Sequence, residues 1–263
     1  MILLINKLLL LFVLVYMLIP LAITRIGGIG VTLRGRTGRK IAFTFDDGPD
    51  PVYTPRLLDL LKRKGIKATF FVLGSKAERY PEIIKRMHEE GHLIGIHNYK
   101  HHPNWLMSPR RIRSRHVIRT ADIIERITNE RPVFYRPPWG MLNLGDLFGL
   151  RKDFRIVLWS VMGHDWVKDP GLEPLKERIL NQLEPGAIIL LHDSGDTMGA
   201  ERDAPELMLE SLEGILDDAR LQGYECLRVD DLLYRRRQPR SLRRNPCPYE
   251  QDQEANATYQ GTI

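Results

Sequence analysis

Two adjacent carboxylates, Asp46 and Asp47, end the stretch Thr44-Phe45-Asp46-Asp47-Gly48, directly after the apolar run Ile41-Ala42-Phe43. A buried strand of that composition delivers its last side chains to the carboxyl edge of a sheet, where α/β folds place their chemistry. Further on, His97 and His101 stand four residues apart, close enough to grip one ion. One Asp with two His is a mixed oxygen and nitrogen donor set, suited to a catalytic zinc-type ion with coordination positions left open. The other Asp is then free to act as a base. A competing reading makes Asp46 and Asp47 a turn before Gly48-Pro49, capped by Asp50, with His97 and His101 as surface histidines near His92 and His102. That reading leaves the spacing of the histidine pair unexplained.

The elements that must position these residues alternate in type. Residues 40–45 read as a strand. Residues 53–64 have helical periodicity, with Leu57, Leu58, Leu60 and Leu61 on one stripe and Gly65 as the stop. A second strand is expected over 68–72, and a helix over 81–90 opened by Pro81 and ended by Gly91. A strand over 93–96 delivers His97. A long basic helix follows over 109–128, then strands over 133–135, 155–158 and 187–191, a helix over 205–222 and a strand over 225–228. Repeated strand-then-helix units argue for an α/β protein with a parallel sheet and helices outside, and their number favours a barrel over an open sheet. No glycine-rich phosphate loop follows a strand.

The ends have a different character. Residues 8–23 are almost wholly apolar, which fits a membrane anchor or a signal segment. No small-residue cleavage pattern follows Ile19-Pro20, so an uncleaved anchor is expected. Gly27, Gly28 and Gly30 read as a short flexible linker. From Arg235 onward apolar periodicity stops, and the tail reads as disordered. The expected organisation is an anchor or signal segment over 1–25, a linker over 26–38, a catalytic domain over 39–234 and a basic, polar tail over 235–263. The formal net charge is +6. Its clusters at Arg34, Arg36, Arg39 and Lys40, and at Arg235 to Arg244, come with no nucleic-acid motif. A membrane surface or an anionic envelope is therefore the expected partner, and not nucleic acid. Cys226 and Cys247 lie outside every motif and read as one buried and one exposed thiol.

Five motifs follow one another: Thr44-Phe45-Asp46-Asp47-Gly48, His97-Asn98-Tyr99-Lys100-His101, Arg136-Pro137-Pro138-Trp139-Gly140, Asp165-Trp166 and Leu190-Leu191-His192-Asp193. In this order they resemble the polysaccharide deacetylase family, the NodB-homology domain of carbohydrate esterase family four, from about Arg39 to Asp231. The resemblance implies a distorted, incompletely closed (β/α)7-type barrel. It also implies a metal-dependent hydrolase that removes N-acetyl groups from amino sugars of an envelope polysaccharide: peptidoglycan, a chitin-like polymer or a lipid-linked glycan.

Residue by residue, the resemblance makes Asp47, His97 and His101 ligands of one divalent ion, Zn2+ first, with Co2+ or another first-row ion as alternatives. Asp46 becomes the general base and His192 the acid for the departing amine. Arg136 orients Asp46, and Asp165 supports the protonated form of His192. Trp139 forms a wall of the sugar groove, Trp166 and Leu190 the acetyl pocket, and Tyr135 and Pro137 further substrate contacts. A backbone N–H near Tyr135 or Arg136 is the expected oxyanion donor. Two residues depart from the family pattern. Asn98 stands where Ser or Thr is usual, and Met162 stands where the fourth motif usually begins with Asp. The resemblance places the catalytic domain outside a bacterial membrane on a single-pass anchor, whereas the arginines after the anchor favour the cytoplasmic side. The alternatives are a catalytically silent glycan-binding protein on the same fold and an O-acetyl esterase.

Overall fold

In the computed structural model, residues 1–35, 38–168 and 174–234 are described. The expected tail over 235–263, Cys247 and Arg36 lie outside the described residues. The chain opens with α1 (Ile2–Val13), which runs through a π segment into α2 (Ile19–Arg25). The stretch Leu3–Arg25 is long and apolar enough to cross a membrane.

β1 (Lys40–Asp46) follows, then α3 (Tyr53–Lys64), β2 (Thr69–Val72), α4 (Gly74–Arg79), α5 (Pro81–Glu89) and β3 (Leu93–Ile96). α6 (Pro109–Arg111) continues through a π segment into α7 (Arg119–Thr128). Then come β4 (Phe134–Tyr135), α8 (Leu144–Gly149), β5 (Arg155–Ile156), β6 (Val161–Met162), α9 (Leu175–Leu180), β7 (Ile188–His192), α10 (Ala204–Leu221), β8 (Glu225–Cys226) and α11 (Val229–Leu233).

The strands pair in the order β5-β4-β3-β2-β1-β7-β6, all parallel, and β8 pairs with the start of β1. β1 is central and its residues 41–46 are all buried. A strand covered on both faces needs a continuous apolar run, which is why Ile41-Ala42-Phe43 lies there without alternation. Among the described residues no ladder joins β5 to β6, so the barrel is incompletely closed. Residues of the expected linker bridge that gap. Thr32 pairs with Val157 beside β5, and Arg34 pairs with Ala187 at the start of β7. Gly186 (φ 85°) permits this approach, because a Cβ there would lie 2.3 Å from the carbonyl oxygen of Gly35. Within the linker expected over 26–38, Thr32 and Arg34 thus pair with backbone beside the sheet.

Most expected elements are present within a residue or two. The helix expected over 109–128 carries a π segment at Ile112–Ile118. The strands expected over 155–158 and 225–228 shrink to two residues each. Cys226 is a free, half-buried thiol that burial pushes up to about 11.

Candidate active site

The register of the sheet sets the site. β1 and β7 lie side by side with Asp46 opposite His192, so the expected base and acid leave the carboxyl edge as neighbours. Asp47 turns out of line (φ 75°) and faces the loop after β3. There its Oδ1 lies 3.3 Å from His97 Nε2 and 3.4 Å from His101 Nε2. The three ligand atoms sit within 4.8 Å of one another.

This cluster fits a metal ion. Asp47 Oδ1 is buried and has no hydrogen-bond partner. His97 Nδ1 donates to the Arg136 carbonyl oxygen at 2.8 Å, which leaves Nε2 with its lone pair toward Asp47. Burial pushes His101 down to about 4, against the pull of Asp47, so it stays a neutral donor. Burial disfavours the Asp47 carboxylate, but the close approach of His97, with His101 and His192 nearby, outweighs it and holds the group well below the usual range. The Oδ2 of Asp47 accepts from Thr197 Oγ1 at 2.7 Å.

Asp46 lies on the other side of His97. Its Oδ1 accepts from Arg136 Nη1 at 2.7 Å, and Arg136 is wholly buried. The guanidinium is fixed by Thr44 Oγ1 and by the carbonyl oxygens of Val157 and Leu158, and it lies over the Phe71 ring at 4.1 Å. Burial lowers its pKa, with Asp46 opposing that shift. A buried cation so held orients the carboxylate beside it.

His192 completes the arrangement. Its Nδ1 lies 2.9 Å from Asp165 Oδ1, and its backbone N–H donates to Asp165 Oδ2 at 2.7 Å. Burial opposes a charge on the ring, but Asp165, with help from Asp47 and Asp46, raises it to about 9. The ring is protonated at neutral pH, the state an acid requires.

Asp46, Asp47, His97, His101 and His192 line a cavity of about 300 Å³ together with Trp139, Met141, Trp159, Met162, His164, Trp166 and Leu190. Trp139 (φ 54°) is turned so that its ring sits 4.2 Å from that of His101. Met162 and His164 both face the cavity, so the departure at Met162 changes its wall directly.

Two expected substrate contacts lie elsewhere. Pro137 is buried and does not line the cavity. The Tyr135 phenol points away, into a closed ring of hydrogen bonds. It donates to Asn98 Oδ1 (3.0 Å), Asn98 Nδ2 donates to Asn104 Oδ1 (2.8 Å), and Asn104 Nδ2 donates back to the phenol oxygen (2.8 Å). Asn104 also donates to the buried Asp146. The departure at Asn98 now has a physical reason. The residue adopts φ 66°, which Asn tolerates better than Ser or Thr, and its amide both donates and accepts. The Arg136 N–H donates to Ile96 O at 2.9 Å and is not free to hold an oxyanion.

Two further participants carried no sequence signal of their own. Thr197 is a lone threonine in the loop after β7. Asp193 was visible within the fifth motif but without a role. It is buried, accepts from Thr54, and is pushed up by burial to about 7. A Cβ at Gly48 would collide with its carboxylate, so glycine there lets Asp193 brace the turn that carries Asp47.

Comparisons with known proteins place the chain among relatives. A family model described as polysaccharide deacetylase matches residues 34–145. A peptidoglycan-N-acetylglucosamine deacetylase of Bacillus cereus is 38% identical over 176 residues, covering 66% of this chain and 63% of that protein. This chain thus spans less than two thirds of that relative's length. The peptidoglycan-N-acetylmuramic acid deacetylase PdaA of Bacillus subtilis is 33% identical over 205 residues, covering 76% of this chain and 74% of that protein. Among solved structures, the Bc1960 peptidoglycan N-acetylglucosamine deacetylase superposes with a TM-score of 0.71 at 31% identity, covering 80% of this chain and 95% of that one. Sequence motifs, barrel and relatives converge, and the chain belongs to the polysaccharide deacetylase family.

Proposed function

We propose that this protein hydrolyses the N-acetyl amide of amino sugars in peptidoglycan or a closely related envelope glycan. The observation that carries the reading is the pairing of Asp46 and His192 in register on adjacent strands, on the two sides of the Asp47, His97 and His101 cluster. An amide is a weak electrophile and an amine a poor leaving group, so the site needs an activated water, a polarised carbonyl and an acid. Asp47, His97 and His101 would hold a divalent ion, with Zn2+ the best match to two nitrogens and one oxygen. When bound, that ion supplies Lewis acidity to water and to the acetyl carbonyl.

The chain's own residues do the rest. Asp46, fixed by Arg136, takes the proton from the attacking water. His192, charged through Asp165, gives its Nε2 proton to the departing nitrogen. Trp139 offers a face for the sugar ring, and Trp166 and Leu190 surround the acetyl methyl. The relatives support a peptidoglycan substrate, the Bacillus cereus enzyme and Bc1960 being named for N-acetylglucosamine and PdaA for N-acetylmuramic acid. The apolar stretch Leu3–Arg25 supports a single-pass anchor in a bacterial membrane, with the domain on the side where the glycan lies.

The test is acetate release by the full-length chain in detergent. Substrates are peptidoglycan, N-acetylglucosamine oligomers and O-acetylated xylan, with Zn2+, with Co2+ and with chelator, beside the Asp46→Asn variant. Metal-dependent release from peptidoglycan, lost in the variant, is expected. Release from xylan alone makes it an esterase. A metal-loaded protein that binds glycan and releases nothing is a silent binder, the reading that Met162 favours.

A further inference from the structure

The 23-residue, mostly apolar helix Leu3–Arg25 is roughly 34 Å long, little more than the ~30 Å hydrocarbon core of a bilayer. Crossing therefore needs nearly all of Leu3–Arg25. Yet the second half of this stretch is not free. Pro20 and Thr24 are buried, and Tyr16, Met17 and Ile23 are half-buried, at the spacing of one helical face. The Tyr16 hydroxyl donates to the Met107 carbonyl oxygen at 3.3 Å, Ile23 packs on the core, and the Arg25 guanidinium lies 3.9 Å over the Trp159 ring. In the first half, Leu3 to Ile5 and Leu8 to Phe12 are exposed. Ten residues, 3–12, span only ~15 Å, half of the crossing. A helix that crosses while docked in this way carries the adjoining protein surface down to the lipid.

That surface has the composition such a position demands. It consists of α8, which packs on the docked helix, together with α6 and its π extension and the turn Leu150–Lys152, which pack on α8, and the turn Asn104–Leu106 just before Met107, whose carbonyl oxygen accepts from Tyr16. Two large apolar side chains point outward, Leu106 at 72% and Phe148 at 56% exposure. Exposed cations accompany them: Arg110, Arg111, Arg115, Arg151 and Lys152. The only acid on these segments, Asp146, is buried, and Asp153 just beyond them is paired with Arg113. Apolar tips among long cationic side chains match the two layers of a membrane surface, acyl chains below and anionic headgroups above.

We propose that the face formed by residues 104–115 and 144–152 is seated in the headgroup zone of an anionic membrane, with Leu106 and Phe148 inserted and the cations on lipid phosphates. The catalytic domain then does not swing on a glycine tether. Trp159 lines the cavity on one side and carries Arg25 on the other, so the site is held one ring away from the anchor. On the hydrolase reading above, such a site works on glycan at the membrane surface. The seating itself does not depend on that reading, and its test uses no activity.

The test places the full-length chain in nanodiscs of phosphatidylglycerol and phosphatidylcholine. Single nitroxide labels go at positions 106, 148 and 221 in a Cys226→Ala, Cys247→Ala background. Leu221 is 85% exposed and ends α10, a helix that packs on α3 and α9. Labels at 106 and 148 are expected to be more accessible to oxygen than to a water-soluble nickel chelate, with the reverse at 221. Adding Arg110→Glu, Arg111→Glu and Arg115→Glu moves 106 and 148 toward the value at 221. Equal nickel access at all three positions overturns the proposal. Amide hydrogen exchange on the unaltered chain is a second test that needs no variant. Exchange over 104–115 and 144–152 is expected to be about tenfold slower in phosphatidylglycerol discs than in purely phosphatidylcholine discs. Equal exchange in both, or the same slowing by soluble polyphosphate in place of the anionic lipid, overturns the seating.

Discussion

His101 and His192 face the same cavity, each beside an aspartate, and the fold sends them to opposite charge states. His101 lies 3.4 Å from Asp47, and burial wins, taking the ring down to about 4. His192 lies 2.9 Å from Asp165, and the carboxylate wins, taking the ring up to about 9. The difference is one of commitment. Asp165 gives one oxygen to the His192 ring and the other to the same residue's backbone N–H. Asp47 is divided among His97, His101 and Thr197, and its Oδ1 has no hydrogen bond. The same two residue types thus make a proton donor in one corner and an electron-pair donor in the other. The role is set by geometry and burial, which a motif records only indirectly.

The sharpest way to break this contrast is to remove the carboxylate of the metal corner. Asp47→Ala is expected to abolish retention of a stoichiometric divalent ion after gel filtration and to bring acetate release to background. A variant that kept its full metal content would falsify the ligand assignment. Next in size is His192→Ala, with metal content unchanged and the rate on an amide reduced ~10²–10⁴-fold, the usual worth of a placed acid. The loss on an O-acetyl ester should be much smaller, because an alkoxide leaves with less help from a proton. Equal losses on both substrates would remove His192 from the leaving-group step.

The metal corner also depends on the ring of Asn98, Asn104 and Tyr135 behind it. Asn98 follows His97 directly, and Tyr135 precedes Arg136, whose carbonyl oxygen fixes the His97 ring. Tyr135→Phe or Asn98→Ala is expected to weaken metal binding by ~10–100-fold, as losses behind a ligand do. The double variant should cost less than the sum of the two, since either change opens the same ring. Competition with a chelating dye measures this without turnover.

Little of that ring was legible in the sequence. The helix at Tyr53–Lys64 was legible because its leucine stripe and Gly65 stop are local signals, and Gly65 does take the left-handed cap (φ 63°). β1 was legible from its apolar run. Asp46, Asp47, His97, His101 and His192 were legible as candidates because they stand in motifs whose order resembles one family. Tyr135, by contrast, looked like a substrate contact because it adjoins a motif, and only the register of β3 against β4 shows its phenol turned toward Asn98. α4 and α8 are too short for a periodic signal, and β6 and β8 are two-residue strands held by neighbours remote in sequence. Thr197 reaches Asp47 across 150 positions, and nothing local marks it.

The smallest change, Asp165→Asn, tests the contrast most directly because it pushes His192 toward the state of His101. The amide oxygen of Asn can still accept from the ring, while its NH2 then faces the His192 backbone N–H, so the charge and one of the two hydrogen bonds are lost together. In the unaltered protein the acid is held up to about 9, so a rate that needs it protonated stays level through neutral pH and falls as pH rises through about 9. In the variant that alkaline limb should move down toward the ordinary histidine range near 6.5. The rate then stays close to that of the unaltered protein at pH 5.5 and falls well below it at pH 8. Stability should follow the same sign. A histidine raised on folding contributes fully below its unfolded pKa, and the contribution disappears as pH rises through the folded value. The variant should therefore lower the unfolding temperature more at pH 6 than at pH 10. An alkaline limb that does not move would show that the limb belongs to another group and that Asp165 positions His192 without setting its charge.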